Sequence, residues 1–192
     1  MARDARAPRD RMVFSAAQLV RERGVTATGV RDVVQHAAAP RGSFQHYFPG
    51  GKDQLLSEAL LWSGDFAARW VGEFAGSTPS GLFAHLAAPW ERELEARGFR
   101  RGCPVMAAAA DAAAGDSALT GPIRAALDRW EDAVVAALDR LGVPAGPDRR
   151  LATLMLSTLE GAILLARVRR DVGPLRTVVA DLGPLLDAAV PG

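Results

Sequence analysis

The sequence TGVRDVVQHAAAPRGSFQHYFPGGK, residues 28–52, decides the fold of this chain. It predicts two short helices separated by a tight turn, because apolar residues recur at helical spacing up to Ala37 and proline and glycine punctuate the rest. Thr28 stands just before the first helix and is expected to be its N-cap. Pro40 suits the first position of a second helix, predicted over residues 41–48 and ended by the PGG that follows.

The second predicted helix has an unusual composition for a core element. Phe44 and Phe48, four residues apart, give it one apolar face, and donor-rich side chains occupy its other faces. Such side chains on a short exposed helix suit the major groove of DNA and its phosphates. We expect base or mixed contacts from Arg41, Ser43, Gln45 and His46, and phosphate contacts from Thr28, Tyr47 and Lys52.

This stretch resembles the DNA-binding end of TetR-family transcriptional regulators. Their recognition helix carries glycine, a small hydroxyl residue, an apolar residue and an aromatic-rich ending before a lysine. The matching residues here are Gly42, Ser43, Phe44, Tyr47, Phe48 and Lys52. Ala38 departs from the common glycine of the turn, so we expect the turn to avoid a left-handed conformation there. Gln45 replaces a tyrosine that often contacts phosphate, which makes Gln45 a candidate base reader.

Positive charge is concentrated around this motif. The whole chain carries a formal net charge of +1, yet residues 1–52 hold eight Arg and one Lys against three Asp and one Glu. Their net charge is +5, and the remaining residues carry −4. This distribution is typical of a DNA-binding segment, with a solubilising tail as the alternative. Residues 1–7 are expected to be a disordered arm, with insertion into a minor groove as the alternative.

Composition and termini favour a cytoplasmic location. The single cysteine, Cys103, excludes an intramolecular disulfide and suits a reducing compartment. We interpret it as a small buried hydrophobe rather than a redox sensor. The N-terminal MARDARAPRDR lacks the apolar run of a signal peptide. Residues 151–166, the most apolar stretch, are expected to be too short for a bilayer, which takes about 20 residues, and Glu160 interrupts them.

Helical periodicity continues along the chain, and neither strand alternation nor an internal repeat is present. Helices are predicted over residues 8–23, 52–76, 83–94, 122–141 and from 147, with an alanine-rich segment from Cys103 and a last helix over 174–190 broken at Gly183 and Pro184. The prediction is an all-α fold of about nine helices. Residues 1–51 would form a three-helix helix-turn-helix domain, and residues 52–192 a helical effector-binding and dimerisation domain. The resemblance implies the same layout.

The helix predicted from Pro147 is apolar almost all round, so it should be buried on several sides. A subunit interface would provide that burial. The last two helical segments could pair with their copies in a four-helix interface, and the resemblance implies a homodimer formed in this way.

Aromatic and methionine side chains are spread over several helices of the second predicted domain. They suit an apolar pocket, but they also fill helical cores, and both interpretations stay open. Glu160 is either a polar group that orients a ligand or the partner of an arginine at the interface. The resemblance implies an effector site, which we expect to be lined by Trp62, Phe66, Phe83, Trp90, Met106, Trp130, Met155, Leu159 and Glu160.

Motifs for catalysis, metals and cofactors are not found in the sequence. The three histidines show no metal-ligand spacing with Cys103, and HExxH, CxxC, GxGxxG and a nucleophile elbow do not occur. An enzyme is therefore not expected, and no cofactor is predicted.

The predicted function is DNA-binding transcriptional regulation. Two recognition helices of a dimer would enter successive major grooves, about 34 Å apart, on a pseudo-palindromic operator. A small apolar or aromatic effector would release this repressor from DNA. The CPV and LEGAILLARVRRD segments resemble the subgroup that contains repressors of drug-efflux operons. The alternatives are a regulator without an effector, and a helical small-molecule carrier or enzyme that ignores DNA.

Overall fold

The computed structural model describes residues 7–40, 42–113 and 117–191, and every element assigned in those ranges is an α-helix. This confirms the predicted all-α fold of about nine helices. In chain order the helices are α1 (Pro8–Arg23), α2 (Val30–His36), α3 (Phe44–Tyr47), α4 (Gly51–Gly72), α5 (Pro79–Ala96), α6 (Pro104–Ala112), α7 (Thr120–Arg140), α8 (Pro147–Arg169) and α9 (Gly173–Asp187).

Proline and glycine set many of the helix ends. Pro8, Pro79 and Pro147 occupy the start of their helices, where a missing N–H leaves no helical hydrogen bond unmade. Gly24 ends α1 with a φ of +82°, a conformation that glycine adopts without a steric cost. Thr78 caps α5 by accepting a hydrogen bond from the Gly81 N–H at 3.1 Å.

Outside the helix-turn-helix, predicted boundaries of four helices are wrong. α5 begins at Pro79 rather than near residue 83. α4 ends at Gly72 rather than near residue 76, and a turn follows in which the Phe74 N–H donates to the Val71 carbonyl at 3.2 Å. α7 begins at Thr120 rather than Pro122, because a proline in the first turn removes only an N–H that has no helical partner. α9 continues through Pro184, since its packing against α5 and α8 outweighs the hydrogen bond that proline removes.

Contacts divide the chain into two compact units. The first spans Met1–Gly64 and Pro104–Leu127, and the second spans Asp65–Cys103 and Asp128–Gly192. These bounds differ from the predicted domains 1–51 and 52–192 because α6 packs against α1 and joins the first unit. The functional division of the chain at residue 51 stays a prediction.

Each unit has its own apolar core. Large apolar side chains that are fully buried stabilise such a core by about 1.5–3 kcal/mol each relative to exposure. In the first unit they include Met12, Phe48, Leu55 and Leu56. In the second unit they include Leu82, Phe83, Leu94, Val134, Leu138, Met155, Leu159, Ile163, Leu175 and Leu186.

Within the described residues, α8 is long and apolar enough to cross a membrane by length and composition. The prediction that its apolar stretch is too short is therefore wrong for the 23-residue helix that forms. Length and composition are weak evidence alone, because core helices of soluble proteins have both. α8 packs against α5 and α9, and its buried residues include Met155 and Leu159.

Candidate nucleic-acid interface

The predicted helix-turn-helix is present, but its second helix is shorter than expected. α3 covers only Phe44–Tyr47, so the prediction of a helix over residues 41–48 is wrong at Gly42, Ser43 and Phe48. The Ser43 N–H and hydroxyl both donate to the Pro40 carbonyl, at 3.0 and 2.7 Å. This local hydroxyl bond competes with helix formation before Phe44. Arg41, a predicted DNA contact, lies outside the described residues.

The start of α2 also differs from expectation. Gly29, with an extended backbone, occupies the N-cap position, so the prediction that Thr28 caps α2 is wrong. The Thr28 hydroxyl instead donates to the Gly24 carbonyl at 2.6 Å. Thr28 is only 1% exposed, which disfavours the predicted phosphate contact of its side chain.

The turn after α2 contains a left-handed residue. Ala38 has a φ of +47°, so the prediction that the turn avoids this conformation is wrong. The Ala39 N–H donates to the Val34 carbonyl and the Ala38 N–H to the Gln35 carbonyl, both at 3.1 Å. This closure of a helix end needs a left-handed residue even where glycine is absent. Arg11 of α1 supports the turn by donating from Nε to the Ala37 carbonyl at 2.9 Å.

Replacing Ala38 with glycine is expected to raise the free energy of unfolding by about 0.5–1 kcal/mol. The left-handed conformation costs an L-residue roughly 1–2 kcal/mol, which exceeds the entropy that glycine loses on folding. Chemical denaturation measures the change. Ala37→Gly is the control with the opposite sign, because Ala37 has helical dihedral angles and should lose about 1 kcal/mol. A lower free energy of unfolding for Ala38→Gly would contradict backbone strain at Ala38.

The polar and apolar faces of α3 are separated as the sequence predicts. Phe48 is fully buried and its ring stacks on Phe44, with 5.5 Å between centroids. Gln45 and His46 are exposed, while Ser43 and Tyr47 are partly exposed. The structure thus brings together, on one short segment, four of the predicted DNA-contacting side chains: Ser43, Gln45, His46 and Tyr47.

The amide of Gln45 is available to a ligand. Its Nε2 lies 3.5 Å from the Pro49 carbonyl oxygen, which is at the limit of a hydrogen bond. An exposed primary amide with both donor and acceptor atoms can pair with the N6 and N7 edge of adenine.

Two basic residues near the end of α3 contact neighbouring segments. Arg9 of α1 forms an ion pair with Glu58 of α4 at 2.6 Å, and its guanidinium carbon lies 5.4 Å from the Phe48 ring centroid. Lys52 donates from Nζ to the Val25 carbonyl at 3.0 Å. A lysine ammonium has three N–H donors, so this bond leaves Lys52 able to contact a phosphate.

The nine side chains predicted to line an effector site are divided between the two units. Trp62 and Met106 belong to the first unit and the other seven to the second. Trp62 packs edge-on against Phe14, with 5.5 Å between ring centroids. Phe66 is 54% exposed and Glu160 and Trp90 are partly exposed. Phe83, Trp130, Met155 and Leu159 are buried and contribute to the core of the second unit.

A surface groove of about 350 Å³ lies at the start of α8 and the end of α9. None of the nine predicted effector-site residues lines it. The lining residues are Pro147, Arg150, Leu151, Leu154, Leu185, Ala188 and Ala189.

Similarity to known proteins agrees with this geometry. Residues 15–59 match the family described as bacterial regulatory proteins, tetR family. Residues 79–181 match the C-terminal domain of LmrA/YxaF-like transcriptional regulators. The chain belongs to the TetR family. It is therefore a DNA-binding transcriptional regulator, as the members of this family are. The prediction that the chain is not an enzyme is confirmed, because its family and its structural neighbours are transcriptional regulators.

Relatives of this TetR-family chain match it over nearly its whole length. The HTH-type regulator Rv0196 of Mycobacterium tuberculosis strain H37Rv, itself described as uncharacterized, is 44% identical over 189 residues, covering 96% of each chain. LmrA of Bacillus subtilis strain 168 is 25% identical over 186 residues, covering 93% of this chain and 96% of LmrA.

Solved structures share the fold. A TetR transcriptional regulator from Legionella pneumophila superposes with a TM-score of 0.80 at 17% identity, over 95% of this chain and 99% of its own. The regulatory protein TetR from Rhodobacter sphaeroides gives a TM-score of 0.76 at 22% identity, over 91% and 96%.

Proposed function

We propose that this TetR-family regulator is a homodimeric, cytoplasmic repressor that leaves a pseudo-palindromic operator when a small apolar or aromatic effector binds. The observation that carries the proposal is the division of α3 into two faces. Phe44 and Phe48 attach the helix to the protein, and Gln45 and His46 are exposed beside them. A short helix held in this way presents hydrogen-bonding groups to base edges.

We assign base or mixed contacts to Arg41, Ser43, Gln45 and His46, and phosphate contacts to Tyr47 and Lys52. The net charge of +5 on residues 1–52 supports binding to DNA of any sequence, because each phosphate contact releases counterions. Specificity would come from the side chains of α3 that reach base edges.

Dimerisation through α8 and α9 is supported by exposed apolar side chains on these helices. Soluble monomers rarely leave such a group uncovered. A second copy of the chain would bury these residues, and two linked recognition helices fit an operator with two half-sites. The exposed residues are Leu154, Leu164, Leu165, Val168 and Leu185.

The two kinds of DNA contact separate in a mutational test. Gln45→Ala is expected to relax the preference at one base position, at a cost of about 1–3 kcal/mol for the preferred base. Tyr47→Phe removes only a hydroxyl and should weaken binding to every sequence by about 1 kcal/mol. Binding is measured on an operator selected from random duplexes, on its single-base variants and on random duplex. Equal losses on all these duplexes for both variants would contradict the assignment.

The effector is tested by thermal unfolding across a panel of apolar and aromatic molecules. A ligand that binds only the folded chain raises the melting temperature as its concentration rises, and an effector should also weaken operator binding. A panel without any such molecule would favour the alternative, a DNA-binding regulator whose aromatic residues only fill the core. The buried positions of Phe83, Trp130 and Met155 favour that alternative most directly.

A further inference from the structure

The loop that follows α1 is held by a side chain of α6. Asp111 Oδ2 accepts hydrogen bonds from the Val25 N–H at 2.7 Å and from the Thr26 N–H at 3.2 Å. The two partners are 86 and 85 residues away in sequence. One carboxylate oxygen therefore fixes two consecutive peptide groups of a segment that is distant in the chain.

The loop is shaped to receive this carboxylate. Gly24 precedes the two donors and has a φ of +82°. A Cβ at Gly24 would lie 3.0 Å from Asp111 Oδ2, which is tighter than ordinary contact. A side chain at Gly24 would therefore crowd the carboxylate that binds the next two peptide groups.

The same loop is also held by α4. Lys52 Nζ donates to the carbonyl of Val25 at 3.0 Å, so Asp111 and Lys52 bind the N–H and the C=O of a single residue. The Thr28 hydroxyl closes the loop by donating to the Gly24 carbonyl at 2.6 Å. α2 starts directly after this loop, at Val30, with Gly29 as its N-cap.

We propose that Asp111 is a positioning residue for operator binding. It acts through the 24–28 loop, whose place determines where α2, and with it α3, begins. This makes α6 a fourth helix of the DNA-binding unit, although α6 lies outside the helix-turn-helix in sequence. The inference rests on the proposed operator binding.

Removal of the Asp111 carboxylate should change the affinity for DNA in two ways that have opposite signs. Loss of a negative charge from a DNA-binding unit strengthens its attraction to phosphates. Loss of the two hydrogen bonds frees the loop, and the entropy of ordering it must then be supplied on operator binding. Weaker operator binding after Asp111→Ala would therefore come from position and not from charge.

The experiment measures operator and random-duplex affinity of the full-length chain and three variants. Asp111→Ala is expected to weaken operator binding about tenfold, with random-duplex binding unchanged or tighter. Asp111→Asn keeps an oxygen acceptor without the charge, so its operator affinity should stay within about twofold of the original. Asp139→Ala, at an exposed position of α7 in the second unit, matches the charge change and should bind as the original does.

The outcomes separate this inference from the proposed function. The positioning role would be overturned if Asp111→Ala bound the operator as tightly as the original chain does. It would also be overturned if the variant lost affinity equally for the operator and for random duplex. Thermal unfolding of each variant tests whether unfolded protein alone explains the loss of affinity. That result would also overturn the positioning role. If the original chain binds no duplex more tightly than random DNA, the proposed operator binding itself is contradicted.

Discussion

Replacing Gly64 with alanine is expected to lower the free energy of unfolding by about 2 kcal/mol, or the melting temperature by roughly 4–8 °C. Gly64 lies on α4, where α4 crosses α7. A Cβ there would be 2.7 Å from the Ala126 carbonyl oxygen and 2.8 Å from the Ala126 Cα. Both are backbone atoms, so the two helices would have to separate. This cost exceeds the gain of about 1 kcal/mol that alanine brings to a helix interior.

Gly72→Ala is the matched control, because Gly72 ends the same helix and has no atom within 4 Å of the Cβ position. Its stability should be unchanged or raised by about 0.5 kcal/mol. Urea denaturation of the two variants measures the difference. Equal stability of Gly64→Ala and Gly72→Ala would contradict the close crossing of α4 and α7.

Placing two glutamates at Leu165 and Val168 is expected to dissociate the dimer and to weaken operator binding by about 100-fold or more. Both residues lie on α8 and are exposed, Val168 to 76%, so the folded chain should tolerate the change. Two carboxylates from each copy would meet in the proposed interface without partners. Operator affinity would then fall because linked half-site binding multiplies affinity by about 10²–10⁴.

Sedimentation analysis reports the dissociation, and binding to a full operator and to a single half-site reports its consequence. Half-site affinity should change little, which distinguishes dissociation from damage to α3. Ala136→Glu, at an exposed position of α7, is the control and should remain dimeric. A dimeric double variant with full operator affinity would place the interface elsewhere.

The sequence predicts the helices well where proline, glycine and apolar periodicity agree. α1 has its predicted bounds, Pro8–Arg23, with Gly24 after it. The recognition segment is also predictable, because Phe44 and Phe48 mark a buried face and the polar side chains between them mark an exposed one. These signals lie within a few residues of each other, so periodicity captures them.

The errors arise where hydrogen bonds determine the backbone conformation, because apolar periodicity carries no information about these bonds. Ser43 bonds back to Pro40 and shortens α3, and the closure of α2 puts Ala38 in the left-handed region despite its Cβ. Thr28 has the composition of an N-cap, but its hydroxyl bonds to Gly24 instead. The role of Asp111 has no local signal, because its partners lie 85 and 86 residues away.

Selection of bound duplexes from a random-sequence pool by the full-length protein tests the central claim most directly. The account predicts enrichment of one pseudo-palindrome whose half-sites lie about one helical turn, roughly 34 Å, apart. It also predicts that this duplex binds at least about 10³-fold more tightly than random DNA and that its affinity falls as salt rises. A pool that shows no enriched sequence after repeated selection would contradict operator recognition by α3.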